Sequence, residues 1–258
     1  MALHPLAGRF ASVAEEYELG RPEYPPAVAG ALMAELGLRP GDAVLDLAAG
    51  TGKLTRALLA AGLEVVAVEP QPELRERLAQ TVGAERTRDG LAEAIPLADG
   101  SVAAVTVADA IHWFDHATAL PEIARVLGDG GGFAVLTTVP DWRGASWGDE
   151  VGRLLADLRP AHPHFDGTPW EQLVRESSRF EEPREVRVTW SREATPERMI
   201  AHVASMSWIA ALDEPERAAT LSRVAALIEG GTTPERMPAH ALLGLVALRR
   251  QLPPAPNR

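Results

Sequence analysis

Residues Ala43 to Leu54 read A-V-L-D-L-A-A-G-T-G-K-L. Val44 to Leu47 form an apolar run suited to a parallel strand buried on both faces. Ala48 to Gly52 make a glycine-bearing turn, and a helical pattern runs on from Lys53 to Ala61. A strand, turn and helix in this order expect a ligand at the strand's carboxyl end. The glycines let backbone approach that ligand and the helix offers unpaired N–H groups. After Gly50 and Gly52 the third glycine of a dinucleotide fingerprint is missing, and Lys53 lacks both the earlier glycine and the following Ser/Thr of a P-loop. Asp46 at the strand's end also argues against pyrophosphate and for a cationic or hydroxyl-rich ligand.

One unit later L-E-V-V-A-V-E-P predicts a second strand, Leu63 to Val68, ending in Glu69. A carboxylate there can accept hydrogen bonds from both hydroxyls of a ribose. Pro70 opens a helix that carries Leu74, Leu78 and Val82 on one face. Arg86 to Asp89 is poorly apolar and reads as a third strand towards a sheet edge. Ser101 to Ala108 is the fourth strand, and it runs into Asp109-Ala110-Ile111-His112-Trp113-Phe114-Asp115-His116.

The segments V-L-D-L-A-A-G-T-G, V-A-V-E-P and D-G-L-A-E-A-I-P-L-A-D-G-S-V together resemble a class I S-adenosylmethionine-dependent methyltransferase, in the small-molecule branch that includes ubiquinone/menaquinone and trans-aconitate methyltransferases. The likeness runs from about Phe10 to Leu136. It implies an α/β fold: a Rossmann-like, doubly wound, seven-stranded sheet, mostly parallel, with an antiparallel C-terminal hairpin and a helical lid. It also implies one methyltransferase domain over 1–258, with 1–36 as the lid and 140–180 and 191–235 as helical insertions covering the substrate.

The resemblance assigns the cofactor, S-adenosylmethionine with S-adenosylhomocysteine as product, to Asp46, Ala48, Gly50, Gly52, Glu69 and Pro70. Gly90, Leu91, Ala92 and Glu93 would lie along adenine, Glu93 being equally well read as a solvated or capping carboxylate. Ala108, Asp109 and His112 would sit beside the methionine end. In the N-terminal stretch Phe10, Tyr17, Arg21 and Tyr24 stand out: similar enzymes fold this segment over the cofactor, while plain aromatic packing on the sheet is the simpler alternative. Arg21 would neutralise a carboxylate, that of the cofactor's methionine in preference to an acidic substrate.

Thirty-six acidic against 25 basic residues, a formal charge of −11, disfavour a nucleic-acid partner. No segment approaches the roughly 18 apolar residues of a membrane span and the N-terminus has no apolar signal core, so no membrane partner and a cytoplasmic location are expected. The absence of cysteine excludes disulfides, thiol nucleophiles and thiolate metal sites. The remaining partner expectation is a small-molecule substrate, with the chain a monomer or homodimer.

Further along, Leu120 to Leu127 reads as a helix stopped by Gly128 to Gly132, and Phe133 to Val139 as strand five. Trp142 to Leu158 has helical stretches. His162-Pro163-His164-Phe165 reads as an exposed loop, and without a third ligand its two histidines predict no metal. Thr168-Pro169-Trp170-Glu171 matches a capping box. Glu185 to Trp190 alternates as a strand, helices are expected over Thr195 to Leu212 and Asp213 to Glu229, Ala241 to Leu248 is an antiparallel strand, and Pro253 to Arg258 a disordered tail.

Methyl transfer from a sulfonium needs alignment and exclusion of water more than acid/base apparatus. His112 is the first candidate for a catalytic base, with Tyr17, His116 and Glu16 behind it, although His112 serves equally well as a structural donor. Tyr24, Trp113, Trp142, His202 and Met206 are candidates for substrate contact. Ring closure or rearrangement through a bound sulfonium, and non-catalytic cofactor binding, are the competing functions.

Overall fold

The computed structural model describes residues 4–248, so the tail from Pro253 to Arg258 lies outside the described residues. Seven strands, β1 (Ala43–Leu47), β2 (Glu64–Val68), β3 (Thr87–Arg88), β4 (Val102–Ala108), β5 (Leu127–Pro140), β6 (Arg184–Glu193) and β7 (Arg236–Ala247), form one sheet in the order β3-β2-β1-β4-β5-β7-β6. The first five in that order are parallel, and β7 runs antiparallel to both β5 and β6. This is the Rossmann-like sheet that the motifs imply. Its antiparallel pair is joined through helices, not a tight turn.

Beginning at β1, Val44, Leu45 and Leu47 are buried because the strand sits between β2 and β4 with helices on both faces. On one face Leu45, Val105 and Val107 pack with Leu120 and Ile123 of α5 (His116–Val126) and Val174 of α8 (Trp170–Ser177). On the other, Val44, Val65 and Ala104 pack with Val28 and Leu32 of α2 (Pro26–Leu36) and Leu54 and Leu58 of α3 (Lys53–Ala60). The helix α4 (Pro72–Val82) buries Leu74, Leu78 and Val82, the face expected from spacing.

A third core lies above the sheet. It joins Trp147, Val151 and Leu155 around α6 (Gly148–Leu158) to Met199 and Val203 of α9 (Pro196–Ala204), Ile209 of α10 (Ser207–Ala210), and Val224 and Ile228 of α11 (Glu214–Gly230). These helices reach the N-terminal helix α1 (Ala14–Gly20) through α9. There a Cβ on Gly20 would stand 2.1 Å from the backbone nitrogen of His202. Only glycine lets the two helices approach so closely.

Several local expectations are corrected. α5 begins at His116, not Leu120, because Asp115 caps it by accepting from the Ala117 N–H at 3.2 Å. The capping box at Thr168 does not form: Pro169 occupies the cap position with no side-chain bond. The helix expected over 195–212 breaks at Ser205 and Met206 into α9 and α10. The loop His162–Phe165 is capped by His162 and wound into the short helix α7 (Pro163–Asp166), with His162 only 3% exposed. Among the described residues no helix is long and apolar enough to cross a membrane.

Candidate active site

A cavity of about 420 Å³ opens at the carboxyl ends of β1, β2, β4 and β5. It is roofed by residues of the 7–21 segment and walled by α7, α9 and α10, whereas no residue of α8 reaches it. Beneath it the chain takes up left-handed backbone at Ala48 (φ 57°), Gly50 (φ 58°) and Asp109 (φ 52°). Such conformations cost on the order of 1–3 kcal/mol at a non-glycine residue and concentrate at functional turns. At Gly50 an added Cβ would meet nothing within 4 Å, so the turn leaves space on the cavity side.

Glu69 ends β2 with 3% exposure. One carboxylate oxygen accepts from the Gly50 N–H and the other from the Gln71 N–H, each at 2.9 Å. Burial pushes this carboxyl up to about 7, against the pull of those two amides. Along the same wall lie Pro70, Gly90, Leu91, Ala92 and Glu93, with Gln71 and Leu74, which the sequence reading did not single out. Glu93 accepts from the Asp115 N–H at 2.8 Å, which ties the wall to the start of α5.

Asp46 and Gly52 sit beneath the cavity, not on its wall. Asp46 is corrected from ligand contact to a buried brace: it accepts from Thr55 of α3 at 2.6 Å and Thr106 of β4 at 3.2 Å, and burial raises it to about 6. Gly52 has φ 90°, and a Cβ there would come 2.7 Å from Leu78 Cδ1. It therefore permits α3 and α4 to pack close behind the turn.

At the far end of β4, Asp109 accepts from the Thr138 N–H at 2.8 Å. Burial raises its carboxyl, an effect opposed first by the Arg21 guanidinium. Arg21 itself donates to Ser205 Oγ at 3.0 Å and lies over the Tyr17 ring at 5.6 Å. Among the described residues it makes no ion pair. Phe10 meets Tyr17 edge-on, and both line the cavity with Arg21 and Ala108.

The other half of the cavity is aromatic. His112 and Trp113 lie on the short turn after β4, with ring centres 4.4 Å apart. His112 also faces His164 at 5.0 Å and His162 at 5.5 Å. Burial, then its histidine neighbours, drives His112 down to about 3, so it is neutral across the physiological range. His202, Met206, Ser207, Trp208 and Phe165 complete this wall. His162, His164, Phe165, Ser207 and Trp208 were missed as site residues. The H-P-H-F run was their one visible signal, and it was read as solvent-exposed because nothing local shows that α7 folds inward.

Four other candidates fall outside the wall. Glu16 pairs with Arg217 of α11 at 3.2 Å. His116 is taken up at the start of α5, where burial lowers its pKa. Tyr24 bonds Thr138 Oγ1 at 3.0 Å and packs towards Trp190, so it braces a wall residue from behind. Trp142 packs tilted against Trp147 and edge-on to His202, behind the cavity.

A charged clasp holds the roof to the turn. Lys53, 5% exposed, donates to the Glu18 carbonyl at 2.9 Å and to Glu23 at 2.6 Å. Arg56 reaches both Glu18 and Glu23, and Thr51 donates to Glu18 at 2.7 Å.

The methyltransferase-domain family matches residues 45–135, the span from β1 to β5. An uncharacterized methyltransferase of Mycobacterium tuberculosis is 41% identical over 223 residues, 85% of each chain. An uncharacterized methyltransferase-like protein of Schizosaccharomyces pombe is 32% identical over 203 residues, 78% of each. A solved protein of Anaeromyxobacter dehalogenans, proposed as a type II methyltransferase, superposes with a TM-score of 0.65 at 23% identity, over 89% of this chain and 97% of that one, which shows the shared fold. With its sheet order, its ligand cavity at the strand ends and relatives that match most of its length, the chain belongs to the class I methyltransferases.

Proposed function

We propose that the protein transfers a methyl group from S-adenosylmethionine to a small-molecule acceptor by in-line displacement. The observation that carries this reading is Glu69: a buried carboxylate, held by two backbone amides at the end of β2, on a cavity wall that it shares with the glycine turn at Gly50. Its remaining lone pairs suit the two hydroxyls of a ribose. The bound cofactor would supply an electrophilic methyl on a sulfonium.

The chain's own residues bind, orient and exclude water. Leu91 and Ala92 offer an apolar slot for adenine. Arg21, which makes no ion pair among the described residues, suits the methionine carboxylate, and Asp109 beside it suits the ammonium. The N-terminal segment roofs the site through Phe10 and Tyr17, so displacement would proceed away from bulk water. Asp46 and Gly52 support the turn from below.

Calorimetric titration with S-adenosylmethionine and S-adenosylhomocysteine tests the reading. Dissociation constants in the micromolar range, about −8 kcal/mol, are expected for both. Failure of both to bind at millimolar concentration would overturn it.

A further inference from the structure

The two halves of the cavity differ in charge. Its wall carries three carboxylates: Glu69 and Glu93 lie in the half just assigned to the cofactor, and Asp109 stands at the boundary, beside Arg21 and within electrostatic reach of His164. Each is held in place by backbone and keeps lone pairs for the cofactor: Glu69 by the amides of Gly50 and Gln71, Asp109 by the Thr138 N–H with Arg21 beside it, Glu93 by the Asp115 N–H. The half beyond His112 has no carboxylate on its wall. A cationic acceptor would find no carboxylate there to offset its lost hydration, only aromatic faces.

The same half is shaped for a flat apolar body. Trp113 meets His162 edge-on at 4.9 Å, and Trp208 meets His162 at 5.5 Å and Phe165 at 6.2 Å. The exposed large hydrophobic side chains of the described surface are Phe165 at 49% and Val139 at 37%, and both line this cavity. An apolar side chain left in water at a cavity mouth is a contact surface for an entering apolar molecule.

One polar group is aimed by its neighbours. His162 Nδ1 accepts from the His164 backbone N–H at 3.2 Å, so the ring proton sits on Nε2, which faces Ser207 Oγ at 3.1 Å. With its oxygen occupied as an acceptor from His162, Ser207 keeps its own hydroxyl proton to donate, and it lines the cavity. A donor of this kind suits an oxyanion.

We propose that the acceptor is a flat, mainly apolar acid, an aromatic carboxylate or an acidic phenol or enol, bound as its oxyanion with Ser207 donating to it. This rests on the cofactor reading above. The acceptor's proton has left for solvent on ionisation. The oxyanion forms the new oxygen–carbon bond, the carbon–sulfur bond breaks with its electron pair left on sulfur, and anion and sulfonium both become neutral. No base is required, and burial makes His112 and His162 poor proton acceptors.

The test titrates three probes sharing one ring system, 2-naphthoate, 2-naphthol and 2-naphthylmethylammonium, into the full chain, alone and saturated with S-adenosylhomocysteine. Naphthoate is expected to bind at least tenfold more tightly than the ammonium probe and to remain bound alongside S-adenosylhomocysteine, with naphthol between them. Ser207→Ala is expected to weaken naphthoate about fivefold while leaving S-adenosylhomocysteine affinity unchanged. Equal binding of the anion and the cation, displacement of naphthoate by S-adenosylhomocysteine, or no effect of Ser207→Ala would each overturn the proposal. If S-adenosylhomocysteine fails to bind while the naphthalene order and the Ser207→Ala effect hold, the anion site at Ser207 stands, and the cofactor reading falls together with the acceptor role built on it.

Discussion

The half of this cavity proposed for the cofactor and the half proposed for the acceptor are built by different means. The first is made by backbone: amides of Gly50 and Gln71 on Glu69, left-handed turns at Ala48 and Asp109, and strand ends set by the parallel ladder. The second is made by side chains from distant segments, His112 after β4, His162 and His164 at α7, His202 on α9 and Ser207 on α10. Backbone geometry follows from a contiguous motif, while a wall of side chains depends on how helices with their own core settle above the sheet. The first half should therefore survive changes in the cover, and the second should not.

The sharpest way to break that contrast is Gly20→Ala. Its Cβ would enter the backbone of α9, so α1 and α9 must separate at a cost of about 3 kcal/mol in stability, read by denaturant unfolding. Increased proteolysis within residues 4–24, with the sheet intact, is the expected companion result. A variant as stable as the parent would show that the cover is not seated as described.

Glu69→Ala acts on the other half. Loss of a carboxylate that accepts from ligand hydroxyls should weaken S-adenosylhomocysteine by about 1.5–3 kcal/mol. The naphthoate affinity of the acceptor half should not change. A parallel loss of both would erase the division drawn here.

The pH dependence of the same residue sharpens it. Glu69 has its pKa raised by burial from 4.5 to about 7. The protonated form is thus favoured on folding, so its contribution to stability is full below pH 4.5 and is lost as pH rises through 7. Binding to ribose hydroxyls needs the ionised form, so affinity should have the opposite slope and fall about tenfold per pH unit below 7. Calorimetry between pH 5 and 8 reads the slope, and Glu69→Gln should flatten it; a flat profile in the parent protein would refute the assignment.

The smallest effect is expected from Lys53→Met. Arg56 keeps its bonds to Glu18 and Glu23, so the clasp should weaken by only about 1 kcal/mol. This corresponds to a roughly fivefold faster release of S-adenosylhomocysteine, measured by stopped flow. An unchanged release rate would disconnect the clasp from the roof.

Much of this architecture was legible in residue order. The run from Val44 through Gly52, the acidic end of β2, the edge position of β3 and the alternation of Val186, Val188 and Trp190 each report on their own surroundings, because a strand's burial and a glycine's backbone are written within a few residues. Glu69 could be singled out for the same reason. Asp46 was harder: its position in the motif pointed to the ligand, but it lies off the cavity wall, bonded to Thr55 and Thr106, which come from a helix and a neighbouring strand. Tyr24 and Trp142 likewise have aromatic chemistry that suits a substrate, and packing behind the wall decides against direct contact.

Local pattern, then, was enough for most strands and the glycine turn, and the family resemblance for the sheet they build, since hydrophobic period and turn chemistry act over short separations. The acceptor half required the fold. His162 resembles a loop histidine until α7 turns it onto Ser207, 45 residues away, and Gly20 is an ordinary glycine until α9 is laid against it. Those contacts are set by the close packing of whole helices, and no single segment carries the information for where its neighbours come to rest.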